Sequence, residues 1–276
     1  PYYPAMFISF EPFRRLTPTI QSIRYGNAAF VVLALVGIVR LTRRLAQPSV
    51  RRVAGPLAAL AFAAVWGLAY TVFAAGVTDL TIVVFALYGL LAMLARRHLA
   101  GGILFGLTLA AKLLPSAFFL PLLVAWYWRN GTRDGRWRFA FGFCASIAVV
   151  LVPFVVWDPP SFLSATTLYY LTNHARGDDS SLWYSMPDAL KGPFFAVGIV
   201  LSLGIVAWGL RKRDLQLIDI MRLSFLAQLA FVAFNKMIHL NYLWAVSPLG
   251  CVLFALSILE ASPKPGQPLA TPADEG

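Results

Sequence analysis

From Val53 to Ala75 the chain runs without a single charged residue. A run of about 20 apolar residues is what an ~30 Å hydrocarbon core requires of one crossing helix. Similar runs recur along most of the sequence. Overall 59% of the residues are apolar and only 13% charged, against about 25% charged in an average soluble domain. Polar surface is too scarce for a water-soluble globule, so the expected fold is all-α, a polytopic transmembrane helical bundle. The formal net charge of +11 comes from short basic clusters between apolar runs rather than from one basic domain, which argues against nucleic acid as a partner. Cys144 and Cys251 lie inside apolar runs, where a thiol acts as a small hydrophobe, and they imply neither a disulfide framework nor a metal site.

About nine spans are read, at 26–45, 53–75, 79–95, 99–112, 114–128, 138–157, 193–210, 217–234 and 243–259. Arg40 to Arg52, Arg96-Arg97, Arg129 to Arg138 and Arg211 to Arg213 fall between alternate spans, and the positive-inside rule makes those loops cytoplasmic. By parity, Gly76 to Asp79, the turn at Lys112, the segment from Trp157 to Lys191 and Asn235 to Asn241 face outside or line a cavity open to it. Of the 23 lysines and arginines, only Arg14, Arg15, Arg24, Lys112, Arg176, Lys191 and Lys236 fall on that outer side. The domain organisation follows: 1–25 an external juxtamembrane segment, in which residues 3–13 form an interfacial helix, 26–259 the transmembrane domain with an external loop at about 157–192, and 260–276 a Pro- and Ala-rich disordered cytoplasmic tail. The chain opens on Pro1 rather than Met, which reads as an N-terminal truncation. A bacterial plasma membrane suits the composition.

One span is too short. Leu99 to Lys112 makes only about 21 Å of helix at 1.5 Å per residue. Pro115 follows, and a second short run returns to Trp126-Tyr127-Trp128-Arg129, an interfacial aromatic belt. The turn at Lys112 is therefore expected below the outer surface, as half of a re-entrant or broken helix pair. Irregular backbone at membrane depth is tolerated where protein buries it or water reaches it, so an outward-facing cavity is expected there.

An ionisable residue at membrane depth costs about 2.5–3.5 kcal/mol on insertion scales and usually has a partner. Lys112 either snorkels to the outer headgroups or meets an anionic ligand, most simply a lipid phosphate. Asp79 either caps the helix it opens or orients a hydroxyl or cation. Lys236 and His239 are three apart, one face of a helical turn, with Tyr242 close behind; they are either interfacial anchors or a phosphate-binding and proton-relaying group. The stretch 173–187 offers His174, Arg176, Asp178 and Asp179 beside Trp183 and Tyr184, which is either a solvated loop or a grip for a sugar or headgroup. The adjacent carboxylates Asp178 and Asp179 lack the further spaced oxygen ligands of a cation site. No metal and no cofactor are assigned. Glycine-rich phosphate loops and nucleophile elbows are absent.

Tyr3-Pro4, the span from Gly76-Val77-Thr78-Asp79 to Arg96-Arg97, the stretch Leu99 to Pro115 around Ala111-Lys112-Leu113, and Asn235-Lys236 through His239 to Tyr242-Leu243-Trp244 and Pro248 together resemble the GT-C superfamily of integral-membrane glycosyltransferases. The nearest branch is glycosyltransferase family 87, polyprenol-phosphate-mannose-dependent mannosyltransferases and their relatives. The resemblance implies an outward-facing site where a hexose, mannose or another, passes from a polyprenyl-phosphate donor to a lipid or glycan acceptor with inversion. It implies a general base in a first external loop, which would lie upstream of Pro1. Within this chain it implies Asp79 and His239 as catalytic, Lys112, Lys236 and Arg176 on the donor phosphate, and Tyr242, Asp178 and Trp183 on the substrate. The partners implied are the bilayer, the lipid-linked sugar and the acceptor.

Broken helices with polar residues at depth also describe transporters and lipid flippases, and a non-catalytic membrane subunit would carry the same features. No duplication of the Lys112 or His239 motifs marks the internal repeat expected of a carrier.

Overall fold

A computed structural model describes residues 4–17, 19, 21–65, 80–164, 185–234 and 241–261. Among the described residues there are eleven α-helices and no strand. They are α1 (Pro4–Leu16), α2 (Gln21–Leu45), α3 (Arg51–Ala63), α4 (Leu80–Leu94), α5 (His98–Ala111), α6 (Leu113–Asn130), α7 (Arg133–Trp157), α8 (Pro159–Leu163), α9 (Asp188–Arg211), α10 (Leu217–Phe234) and α11 (Asn241–Ala261). Helices α2, α7, α9 and α10 are each long and apolar enough to cross a membrane, and α4 and α5 are shorter apolar helices. In a bilayer core no water is available to bond the backbone, so each crossing segment satisfies its own amides as a helix. This is a helical membrane protein.

Close contacts fix the relative directions of several helices. Gly37 on α2 meets Leu87 and Tyr88 on α4, while Gly89 on α4 meets Phe105 and Gly101 on α5 meets Met93. So α4 and α5 form an antiparallel pair. Gly102 lies against Phe139 and Gly106 against Phe143 and Ser146, which runs α7 parallel to α5. Gly198 meets Phe234 and Gly209 meets Leu223, and Gly250 meets Phe225, so α9, α10 and α11 alternate in direction.

Two ends result. At one, the short connections 46–50, 95–97, 131–132 and 212–216 join the helices, and these connections and the helix ends beside them carry the arginine clusters. Arg96 adopts a positive φ of 56° in the three-residue turn between α4 and α5, a conformation disfavoured by about 1–2 kcal/mol for a residue with a Cβ. Arg129, at the end of α6, donates to the carbonyls of Leu210, at 2.6 Å, and of Lys212, and so covers the otherwise unbonded C-terminal carbonyls of α9. At the other end lie the α5–α6 turn at Lys112 and the first residues of α2, α4, α9 and α11.

The α5/α7 crossing is the tightest in the bundle. A Cβ added at Gly102 would sit 2.1 Å from the Phe139 carbonyl oxygen, and one at Gly106 would sit 2.0 Å from Ser146 Oγ. Gly102-x-x-x-Gly106 is a small-residue seam that lets two membrane helices touch backbone to backbone, where dispersion replaces the hydrophobic drive that lipid cannot supply.

Helix α1 extends past the segment read from sequence, to Leu16, through Pro12. Phe10, buried, meets Phe30 of α2 with tilted rings 5.3 Å apart, and α1 also packs against α5 and α7. Helix α7 begins at Arg133, five residues before the expected span, because Thr132 caps it by accepting from the Gly135 amide at 3.2 Å and Arg138 pairs with Asp134 at 2.9 Å. Helix α9 likewise starts at Asp188 rather than 193, carrying Pro193 within its second turn.

Candidate functional site

The expected break at Lys112 is present. Lys112 has φ −165° and ψ 129°, extended backbone between two helices, and it ends α5 and opens α6 with no intervening loop. Ser116 Oγ donates to the Lys112 carbonyl at 2.9 Å and to the Thr108 carbonyl at 3.3 Å. That hydroxyl is shared between the last turn of α5, where the Thr108 carbonyl also accepts from the Lys112 amide at 3.3 Å, and the first turn of α6, and so ties the two helices together at the break. Below the turn the two helices run antiparallel: Phe105 meets Phe119 at 5.7 Å, and His98 Nδ1 bonds the Tyr127 hydroxyl at 2.5 Å. The pairs 108/116, 105/119 and 98/127 centre on residue 112, so these helices are one hairpin with Lys112 at its tip.

The tip is sunk. Gly106 sits level with Phe143 to Ser146 of α7, which sets Lys112 level with residues 149–152, and α7 continues to Trp157. The turn therefore lies roughly 8–12 Å below the end of α7 at ~1.5 Å per residue. Lys112 is only 4% exposed.

Two cavities flank the hairpin. A small one, about 40 Å³, is enclosed by α4, α5, α6, α10 and α11, with Thr108, Ser116 and Gln228 as its polar groups. It has room for a water molecule. The other is a groove of about 560 Å³ along α6, from Ser116 and Ala117 past Leu120 and Val124 to Trp128 and Arg129, walled by Leu109 of α5 and Phe143 of α7. Measured along α6 it is about 20 Å long, at 1.5 Å per residue.

Among the described residues, the buried side-chain atoms without a hydrogen-bond partner are both amide atoms of Asn27, Thr81 Oγ1 and Gln228 Oε1. Asn27 lies in the second turn of α2, Thr81 in the first of α4 and Gln228 six residues before the end of α10. All three fall in the half of the bundle nearer Lys112. An unpaired buried polar group costs about 1–3 kcal/mol, and such groups gather where a ligand or ordered water completes them. Sequence reading missed them. The signal was available for Gln228, an amide in the apolar run Leu226-Ala227-Gln228-Leu229.

The remaining sequence candidates, Asp79, Arg176, Asp178, Trp183, Lys236 and His239, lie outside the described residues, as do His174, Asp179 and Tyr184. Tyr242 stands in the first turn of α11, its side chain outside the described groups. The segments that carry these residues are 66–79, 165–184 and 235–240. The helix ends they join, those of α3 and α4, of α8 and α9, and of α10 and α11, all lie at the Lys112 end. The expected tail, 262–276, also falls outside the described residues.

Charge at this end is partly paired. On α1, Glu11 accepts from Arg14 at 2.6 Å and from Arg15 at 3.1 Å. The Arg14 hydrogen bond first, and then that of Arg15, hold the Glu11 carboxyl at about 2, below its usual 4.5. Between α7 and α8, Asp158 is held low by the Ser161 hydroxyl and amide.

The described residues thus form a helical membrane bundle with a lysine at a sunken hairpin tip, an apolar groove along α6, and the ends of α4, α9 and α11 on the side of that tip. The family model of glycosyltransferase family 87 matches residues 1–262. The chain belongs to that family, and membership in the wider GT-C superfamily is consistent with its fold. The protein is a membrane glycosyltransferase, which decides against the carrier reading. No curated protein and no solved structure matches the chain.

Proposed function

We propose that the Lys112 end is the active site, and that it transfers a hexose from a polyprenyl-phosphate donor to the hydroxyl of a lipid or glycan acceptor. The observation that carries this reading is the pairing of a buried lysine at the hairpin tip with an apolar groove about 20 Å long that begins one turn away, at Leu109 and Ser116. A polyprenyl phosphate has the matching form, one anionic head on a long hydrocarbon tail. In the transfer, the acceptor oxygen bonds to the anomeric carbon as the bond from that carbon to the phosphate oxygen breaks, and the acceptor proton passes to a base. Negative charge grows on the departing phosphate. Lys112, Lys236 and Arg176 offset that charge, a term worth about 10²–10³ in rate per group in comparable sites. Asp79 and His239 serve the acceptor and the proton, while Tyr242, Asp178 and Trp183 hold the sugar.

The arginine clusters orient the bundle, because basic loops are retained on the cytoplasmic side. The Lys112 end then faces outside, and the C-terminus is cytoplasmic. A bacterial plasma membrane is the setting in which such a donor and such an orientation meet.

The test uses the full-length protein in membranes, supplied with polyprenyl-phosphate hexoses carrying a radiolabelled sugar. Lys112→Ala and His239→Ala are each expected to lower transfer at least about 100-fold. Undiminished turnover in both variants at normal insertion would remove them from the site.

A further inference from the structure

Transfer at the Lys112 end gives no role to a third cavity, at the opposite end of the bundle. That cavity, about 860 Å³, lies between α2, α3, α4 and α5. Arg40, Arg43 and Arg44 line it from the last turns of α2, Arg51 from the first residue of α3, and Arg97 from the α4–α5 turn. No carboxylate stands among its described lining residues. The ion pairs of the described residues lie elsewhere, on Glu11, Asp134 and Asp188. Farther into the bundle the lining changes character, to Tyr88 and Leu91 on α4 and Leu104 on α5. Leu104 is seven residues beyond Arg97, about 10 Å along the helix.

Topology alone accounts for basic residues near helix ends. It does not account for their convergence, from three separate parts of the chain, on one concave surface. Guanidinium groups gathered without carboxylates repel one another unless an anion sits between them, and their planar forks suit phosphate oxygens two at a time. A charged mouth over an apolar interior fits a molecule with a phosphate head and hydrocarbon behind it. Basic pockets between helices at a membrane surface are known to hold such headgroups.

We propose that this cavity binds the phosphate headgroup of an anionic phospholipid from the surrounding leaflet, with the glycerol and first methylenes against Tyr88, Leu91 and Leu104. The site is distinct from that of the sugar donor and does not depend on the transfer reading.

The experiment compares the full-length protein with two variants of equal charge loss. One carries Arg40→Gln, Arg43→Gln and Arg97→Gln in the cavity. The other carries Arg211→Gln, Lys212→Gln and Arg213→Gln, at the same end but away from the cavity. Each is reconstituted in phosphatidylcholine discs doped with phosphatidylglycerol or cardiolipin, and retained lipid is read by native mass spectrometry and by the thermal midpoint. The cavity variant is expected to lose about tenfold or more in anionic-lipid retention and most of the lipid-dependent rise in midpoint, with the control variant near wild type. Equal losses in the two variants would reduce the effect to general surface charge and overturn the proposal. So would equal retention of phosphatidylcholine and the anionic lipids. In detergent without lipid, inorganic phosphate is expected to leave the midpoint unchanged; a rise abolished by the cavity substitutions would assign the site to a soluble phosphate instead. Should the glutamine variant fail to insert, Arg40→Lys, Arg43→Lys and Arg97→Lys preserve the charge that directs insertion and are still expected to weaken retention, through loss of the paired N–H contacts; full retention in that variant would also overturn the proposal.

Discussion

Gln228 and Lys112 show two ways in which a polar residue at membrane depth is accommodated. Gln228 has an amide oxygen with no hydrogen-bond partner, facing a small cavity. Gln228→Leu is expected to raise the thermal midpoint in detergent, since about 1–3 kcal/mol of unmet hydrogen bonding is removed, and to slow transfer if the amide serves the substrate. A fall in midpoint would show that an ordered water already completes it. Lys112 sits where helical geometry is interrupted, and its backbone carbonyl is bonded by Ser116. Ser116→Ala is expected to loosen the hairpin tip by about 1 kcal/mol, visible as faster hydrogen exchange at residues 112–118. Glu11 gives a pH dependence. Its folded value of about 2 lies below the ordinary 4.5, so the stabilisation from its arginine pairs is complete above about 4.5 and is lost as pH falls toward 2. Exchange protection of α1 should drop across that window in the native chain and stay flat in Glu11→Gln.

At the level of helices, the α5/α7 seam is the contact least able to absorb change. Gly106→Val would drive carbon into Ser146 Oγ and the Phe143 carbonyl oxygen, and overpacking of this kind costs about 1–3 kcal/mol. A lowered midpoint is expected, together with reduced transfer, because the same helix carries Lys112. Gly204→Ala on α9 meets nothing within 4 Å and is the matched control, expected to be neutral or slightly stabilising. The hairpin itself was legible in the sequence: a lysine and a proline interrupting an apolar run too short to cross leave few alternatives. The seam was legible only in part, since Gly102-x-x-x-Gly106 announces a close crossing without naming its partner, and only the fold supplies Phe139, Phe143 and Ser146. The early starts of α7 and α9 were hidden because their first turns are polar or proline-containing, and hydropathy detects the buried part of a helix rather than its capped extension. Asn27 and Thr81 left no signal, because neither residue type is unusual beside a membrane surface; what distinguishes them is the absence of a partner, a property of packing.

Across the whole molecule, the sequence reading and the structure agree most closely on how charge is sorted. Apart from Arg14 and Arg15 on α1, the described arginine clusters fall at the end with short connections, a sorting that loop composition alone had foreshadowed. The groove along α6 was not foreshadowed, because it arises from the spacing of three helices and uses residues that look like ordinary lipid-facing ones. It offers a test of the donor. Ala117→Phe and Ala125→Phe place bulk in the groove and are expected to raise KM for a long polyprenyl donor by about tenfold, while a donor with a tail too short to reach Ala125 is used as before by Ala125→Phe. Equal effects on long and short donors would show that the tail lies elsewhere.

The unequal connections at the two ends have a consequence for how such a chain diversifies. Helices joined by two to five residues at one end hold their registers from that end, so the described frame is expected to tolerate exchange of the segments 165–184 and 235–240 opposite. Chimaeras that exchange only 165–184 or 235–240 between relatives are the natural units for altering the enzyme without rebuilding its frame.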